Sequence, residues 1–118
     1  LVNGLFVTID RIESEVHDAG GLFIPAHVDR PMNSIISQLG FIPGTMKCDA
    51  LEFSRYFRND DQAVNFYNPQ GRFAVITGSD AHYLEDMGVV YTEIECDECD
   101  FNSIANAIRN KKTKIIRN

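Results

Sequence analysis

Short apolar runs of strand length recur along this chain, each ending in a polar residue and each separated from the next by a stretch with helical spacing. Leu22-Phe23-Ile24-Pro25-Ala26 ends at His27, Ala50-Leu51-Glu52-Phe53-Ser54 at Arg55, and Phe73-Ala74-Val75-Ile76-Thr77 at Gly78-Ser79-Asp80-Ala81-His82. The nearly continuous apolar character of the first and third runs is that of strands buried on both faces. Pro25 weakens the first run, because proline has no N–H to give to a ladder.

The intervening segments predict helices. Thr8 is an N-cap for Ile9, Ile12 and Val16, and Gly20-Gly21 stops that helix. Pro31 opens a second helix, in which Met32, Ile35, Ile36 and Leu39 share one face and Gly40 marks the end. Asp60 to Phe66 predicts a short helix and Asn68-Pro69-Gln70-Gly71 a turn. Val89 to Glu95 reads as a strand, and Asp100 caps a helix carrying Phe101, Ile104, Ala105 and Ile108 on one side. Lys114-Ile115-Ile116 makes a last short strand. Such alternation predicts an α/β architecture, a mainly parallel sheet or a barrel segment with helices outside and sites at the carboxyl ends of strands. With 118 residues, one compact unit spanning residues 1–118 is expected, whereas a complete α/β barrel takes roughly 250.

The net charge of −6 opposes broad binding to duplex nucleic acid, which relies on clustered Lys and Arg. No apolar run reaches the roughly 20 residues that span a bilayer, and no signal peptide is visible, so no membrane association is expected and the cytoplasm is the default compartment. Three cysteines leave at least one unpaired, which agrees with a reducing compartment. Leu1-Val2-Asn3-Gly4-Leu5 lacks an initiator Met, and the chain reads as a fragment of a longer protein.

Candidate chemistry lies at the strand ends. In an extended segment residues two apart point the same way, so Asp80 and His82 can converge on one cavity, and carboxylate and imidazole are common ligands of zinc, iron and manganese. Taken alone, a D-x-H after a strand is more often only a turn. Arg30 and Arg55 are each suited to a bidentate grip on phosphate, or to ordinary surface salt bridges. Glu52 is placed to support a neighbouring group rather than to ligate. His17, late in the first helix, reads as a surface histidine near a helix C-terminus. Cys96 and Cys99 form a C-x-x-C without a second pair and read as a connecting loop. Ser79, Asp80 and His82 are too close in sequence to converge as a hydrolytic triad. Tyr83 reads as a packing or lid residue.

Gly20-Gly21-Leu22-Phe23-Ile24-Pro25-Ala26-His27 and Gly78-Ser79-Asp80-Ala81-His82, about fifty residues apart and each at a predicted strand end, resemble the third and fourth motifs of PHP (polymerase and histidinol phosphatase) phosphoesterases. The resemblance implies the C-terminal portion of a distorted (β/α)7-type barrel with mainly parallel strands. It implies up to three divalent metals (Zn, Mn or Fe) in the complete domain, with His27, Asp80 and His82 each contributing a ligand and Asp80 and His82 serving catalysis. Family members often have Pro after the third-motif histidine, where this chain has Val28-Asp29-Arg30.

The implied reaction is hydrolysis of a small phosphate ester or short nucleotide, with the missing ligands supplied from upstream; Arg30 and Arg55 are the candidates for contacting its phosphate. The chain has three histidines and no H-x-H, so the fragment alone is expected to bind metal weakly, to be inactive and to self-associate through exposed strand edges. Two other functions remain open: an amidohydrolase-like metal hydrolase and a catalytically silent regulatory or interaction module.

Overall fold

The computed structural model describes residue 4, residues 6–58 and residues 60–118; the opening Leu1–Leu5 stretch, Gly4 apart, lies outside the described residues. Helix α1 (Ile9–Asp18) begins where Thr8 Oγ1 accepts from Arg11 N and ends on Ala19 and Gly20. Gly20 adopts φ 80°, and a side chain on Gly21 would press within 3.1 Å of Val16. The Gly-Gly stop therefore serves both backbone conformation and close packing.

Helix α2 (Ile35–Leu39) starts later than Pro31 suggests. Ser34, buried, donates its hydroxyl to Arg30 O, accepts from Ser37 N and forms a reciprocal capping box with Ser37. This network sets the helix start and leaves Met32 exposed. Gly40 closes the helix in the left-handed region.

Strand β1 (Ala50–Phe53), helix α3 (Asp61–Tyr67) and strand β2 (Ala74–Thr77) form a β-α-β unit in which Ala50, Leu51, Glu52 and Phe53 lie in parallel register with Ala74, Val75, Ile76 and Thr77. One face of this pair places Leu51 and Phe53 against Val28, Phe57, Ile35, Ile36, Val64 and Tyr67. The opposite face carries Ala50 and Ala74, which with Ile76 meet Ile104 and Ile108 of helix α4 (Phe101–Arg109). The small alanines let α4 approach closely, and both faces of the pair are thereby covered.

The remaining strands correct the barrel expectation. Strand β3 (Val90–Ile94) pairs with β4 (Thr113–Arg117) antiparallel, as a separate two-stranded sheet. Lys111 turns the chain sharply after α4 with φ 59°, and Glu95 N donates to Lys112 O at 3.0 Å. The start of β4 is thus fixed beside the end of β3, and from there only an antiparallel return can pair. Among the described residues there is a parallel pair and an antiparallel pair, with four α-helices and no barrel.

The expected strand over Leu22–Ala26 is likewise absent. Phe23 O accepts from Asp49 N and Pro25 O from Glu52 N, so the offset slips by one residue between the two bonds. Pro25 has no N–H with which to restore the ladder. The free edge of β2 is closed by hydroxyls: Thr92 Oγ1 accepts from Thr77 N at 2.8 Å and donates to Thr77 O at 2.7 Å, and Thr113 Oγ1 donates to Val75 O at 2.9 Å. These side-chain bonds satisfy an edge that a third parallel strand would otherwise occupy.

A charged hub joins α1, the approach to β1 and α4. Asp49, almost fully buried, accepts from Phe23 N (2.7 Å), His17 Nε2 (2.8 Å) and Arg109 Nε (2.8 Å), while His17 Nδ1 lies 2.7 Å from Glu13. A carboxylate at each ring nitrogen favours the imidazolium form of His17, which has no lone pair to offer a metal. The bond to Asp49 raises the His17 pKa, against the opposing effect of burial. Burial alone would raise that of Asp49, but its bonds to Arg109, His17 and Phe23 N outweigh this and lower it.

A raised histidine pKa gives stability that is complete below the unfolded value of about 6.5 and fades as pH rises through the folded one. A lowered aspartate pKa gives stability present above about 4 and lost on further acidification. We therefore expect His17→Gln to lose most relative to wild type near pH 5.5 and much less at pH 9, read from urea unfolding midpoints. Asp49→Asn should cost about 2 kcal/mol near pH 5.5. A His17→Gln deficit independent of pH would contradict the hub.

Candidate functional site

The parallel register brings the carboxyl ends of β1 and β2 to one edge, and the segment from His27 to Arg30 is fastened beside them. Val28 N donates to Glu52 O at 2.9 Å. Asp29 accepts from both Ser54 N and Ser54 Oγ at 2.6 Å, so a single carboxylate locks this loop to the end of β1. Thr77 Oγ1 donates to Phe53 O at 2.8 Å and locks β2 to the same point.

Arg30, Ser54, Arg55, Tyr56, Asp80 and His82 then line one small cavity of about 110 Å³. Two ion pairs organise it. Arg30 Nη1 meets Asp80 Oδ2 at 3.2 Å, a half-exposed contact, and Arg55 Nη1 meets Asp86 Oδ1 at 2.7 Å in a better-shielded setting. Arg55 also donates to Tyr56 OH at 2.7 Å and lies over that ring. The guanidinium beside Asp86 holds its carboxyl below the usual carboxylate range. From β4, Arg117 donates to the carbonyls of Arg55 and Phe57 and braces the turn that carries Arg55.

His82 Nδ1 lies 2.7 Å from Asp80 O. A backbone carbonyl only accepts, so Nδ1 carries a proton, and in the neutral ring Nε2 is the nitrogen with a lone pair to offer a ligand. Asp80 occupies the left-handed region at φ 47°, and His27 does so at φ 31°. Both positions are conformationally costly for residues with a Cβ, and such strain gathers at functional sites.

His27 stands apart from the cavity-lining set. Its Nδ1 is the buried side-chain polar atom that lacks a hydrogen-bond partner among the described residues. An orphaned imidazole nitrogen is costly unless something binds it. Glu52 points over Gly78, where an added Cβ would meet Glu52 Oε1 at 3.4 Å. The separate polar atoms of His27 and His82 thus suit metal ligation, but Asp80 is engaged by Arg30. No group of three His, Cys, Asp or Glu residues converges as a metal site among the described residues. On their own, these residues therefore do not form a complete metal centre.

A roomier cavity of about 650 Å³ lies beside α2 and α3, lined largely by Ile36, Phe41, Ile42, Phe66 and Phe73. Its one charged residue, Arg72, is engaged by Gly44 O and Met46 O. The contributions of Asp29, Tyr56 and Asp86 have no motif in the sequence to mark them. The H-V-D-R run contained the only local hint, a carboxylate two residues past His27. No helix among the described residues is long and apolar enough to cross a membrane.

Residues 67–113 match a family model described as PHP-associated. The matched region runs from the end of α3 to the start of β4 and includes Asp80 and His82, while His27, Arg30 and Arg55 precede it. The chain is also similar to the uncharacterized protein YqxK of Bacillus subtilis (strain 168), at 33% identity over 115 residues, which is 92% of this chain and 29% of that protein. No solved structure matches it. Residues 67–113 are therefore similar to the PHP-associated family, which is consistent with the C-terminal part of a PHP-family protein.

Proposed function

We propose that this chain contributes one rim of the site of a metal-dependent phosphoesterase, which hydrolyses a small phosphate ester or nucleotide when the rest of the protein is present. The observation that carries this reading is the convergence of Arg30, Arg55, Asp80 and His82 on one cavity at the carboxyl ends of β1 and β2. Two guanidinium groups beside a histidine with a free Nε2 suit a phosphoryl group, which needs charge neutralisation and a group able to hold or move a proton. The unsatisfied Nδ1 of His27 supports a further ligand position nearby in sequence to Arg30.

In this proposal His27, Asp80 and His82 join ligands from outside this chain to hold zinc, manganese or iron. Bound metal would supply an activated water and charge neutralisation. Arg30 and Arg55 bind phosphate oxygens, with Asp86 and Arg117 keeping Arg55 in place.

In the full-length protein loaded with manganese, Asp80→Asn should lower kcat/KM on a responsive phosphate monoester or dinucleotide at least about 100-fold. Equal turnover by wild type and variant would remove Asp80 from the chemistry, and a silent wild type across the whole panel would favour a noncatalytic module. For Arg55→Met the expected signature is a rise in KM of about tenfold with kcat little changed, as for a group that binds ground and transition states alike. A fall in kcat at constant KM would contradict that role.

A further inference from the structure

We propose that Cys96 and Cys99 form a dithiol that closes reversibly to a disulfide by exchange with a small-molecule disulfide. Both thiols are free and exposed, and they stand at the junction between the end of β3 and the start of α4, with Asp97 and Glu98 between them. A C-x-x-C between strand and helix is a spacing suited to redox exchange.

The loop is held at both ends. Glu95 N donates to Lys112 O at 3.0 Å, and the Asp100 carboxylate accepts from Ser103 N at 2.8 Å. Between these anchors, residues 97–100 form consecutive bends. A disulfide needs Cα atoms within about 7 Å, a span that a bent four-residue segment can make while both anchors stay in place. The start of α4 is already capped by Asp100, so the inference rests on the two thiols together and not on the helix terminus.

A metal reading is less well supported, because no third His, Cys, Asp or Glu completes a site around this pair among the described residues. The other cysteine provides an internal contrast. Cys48 is half-buried, and burial pushes its thiol pKa up to about 11. Little thiolate exists there at neutral pH, so exchange at Cys48 should be slow.

The reaction balances without a further oxidant. Thiolate from one cysteine attacks the small disulfide, forming a mixed disulfide and releasing one small thiol. The second cysteine attacks the protein-side sulfur of that mixed disulfide and releases the second small thiol. The protein dithiol is oxidised by two electrons, the small disulfide is reduced by two, and the two protein thiol protons end on the released thiols.

Oxidised glutathione is the probe, with intact mass and peptide mapping as the readout. Wild type should lose the mass of two hydrogen atoms through a single Cys96–Cys99 bridge, with Cys48 still reduced, and dithiothreitol should reverse the change. In Cys99→Ser, Cys96 should instead retain a glutathione adduct, accumulating on the order of tenfold more than in wild type. Circular dichroism verifies that this exposed substitution leaves the fold intact. Persistent glutathione on both Cys96 and Cys99 of wild type, a disulfide-linked dimer, or no reaction at either thiol would each overturn the proposal.

Discussion

The parallel pairing of Ala50–Phe53 with Ala74–Thr77 is the constraint on which the rest of the molecule depends. It sends Leu51 and Phe53 into one apolar layer and Ala50 and Ala74 into another, so both sides of a two-stranded unit are buried. It also sets Ser54 and Gly78 at the same edge, from which the polar residues of both following loops extend. Thr77 Oγ1 donating to Phe53 O fastens the two strand ends together, while Ser54 with Asp29 and Thr77 with Thr92 tie that edge to two other parts of the chain. Each bond satisfies a polar group within or beside the core, where an unmade hydrogen bond would be expensive.

The electrostatics divide into two regions with different roles. Around Asp49 the carboxylates are shielded and mutually satisfied: Glu13, His17 and the more exposed Arg109 join α1 and α4 to the start of β1. Around Asp80 the contacts are more open. Arg30 pairs with Asp80 where both remain substantially exposed, and an ion pair of that kind is worth little and is readily exchanged for another partner. Arg55 is held more firmly by Asp86 and Tyr56, and Arg117 fixes the backbone beneath it. A chain with net charge −6 thus concentrates two arginines at one strand edge, where a local anion can be favoured despite the overall negative field.

Much of the local structure was legible in the residues. Thr8, Asp60 and Asp100 cap the helices they were expected to cap or begin, and Ala50–Phe53, Ala74–Thr77, Val90–Ile94 and Thr113–Arg117 fall on the four later predicted strands. What failed was the inference from alternating elements to a barrel. Alternation does not specify strand direction, and that was decided by the Lys111 turn and the Glu95–Lys112 bond. Leu22–Ala26 looked like a buried strand by hydrophobicity, but its pairing depended on a register that Pro25 could not maintain. At the candidate site, Asp80 and His82 were visible from their motif, and Arg30 and Arg55 from their chemistry. Asp29, Asp86 and Arg117 act through contacts many residues away in sequence, and nothing in their local spacing encodes those partners.

If the carboxyl edge of β1 and β2 forms part of the proposed metal-dependent phosphoesterase site, anomalous diffraction from crystals of the full-length, manganese-loaded protein will show metal peaks within about 2.0–2.3 Å of ligand atoms of His27, Asp80 and His82, with Asp80 withdrawn from Arg30. Well-occupied metals bound elsewhere in an active protein, with the Arg30–Asp80 pair intact and His27 Nδ1 still without a partner, would contradict it.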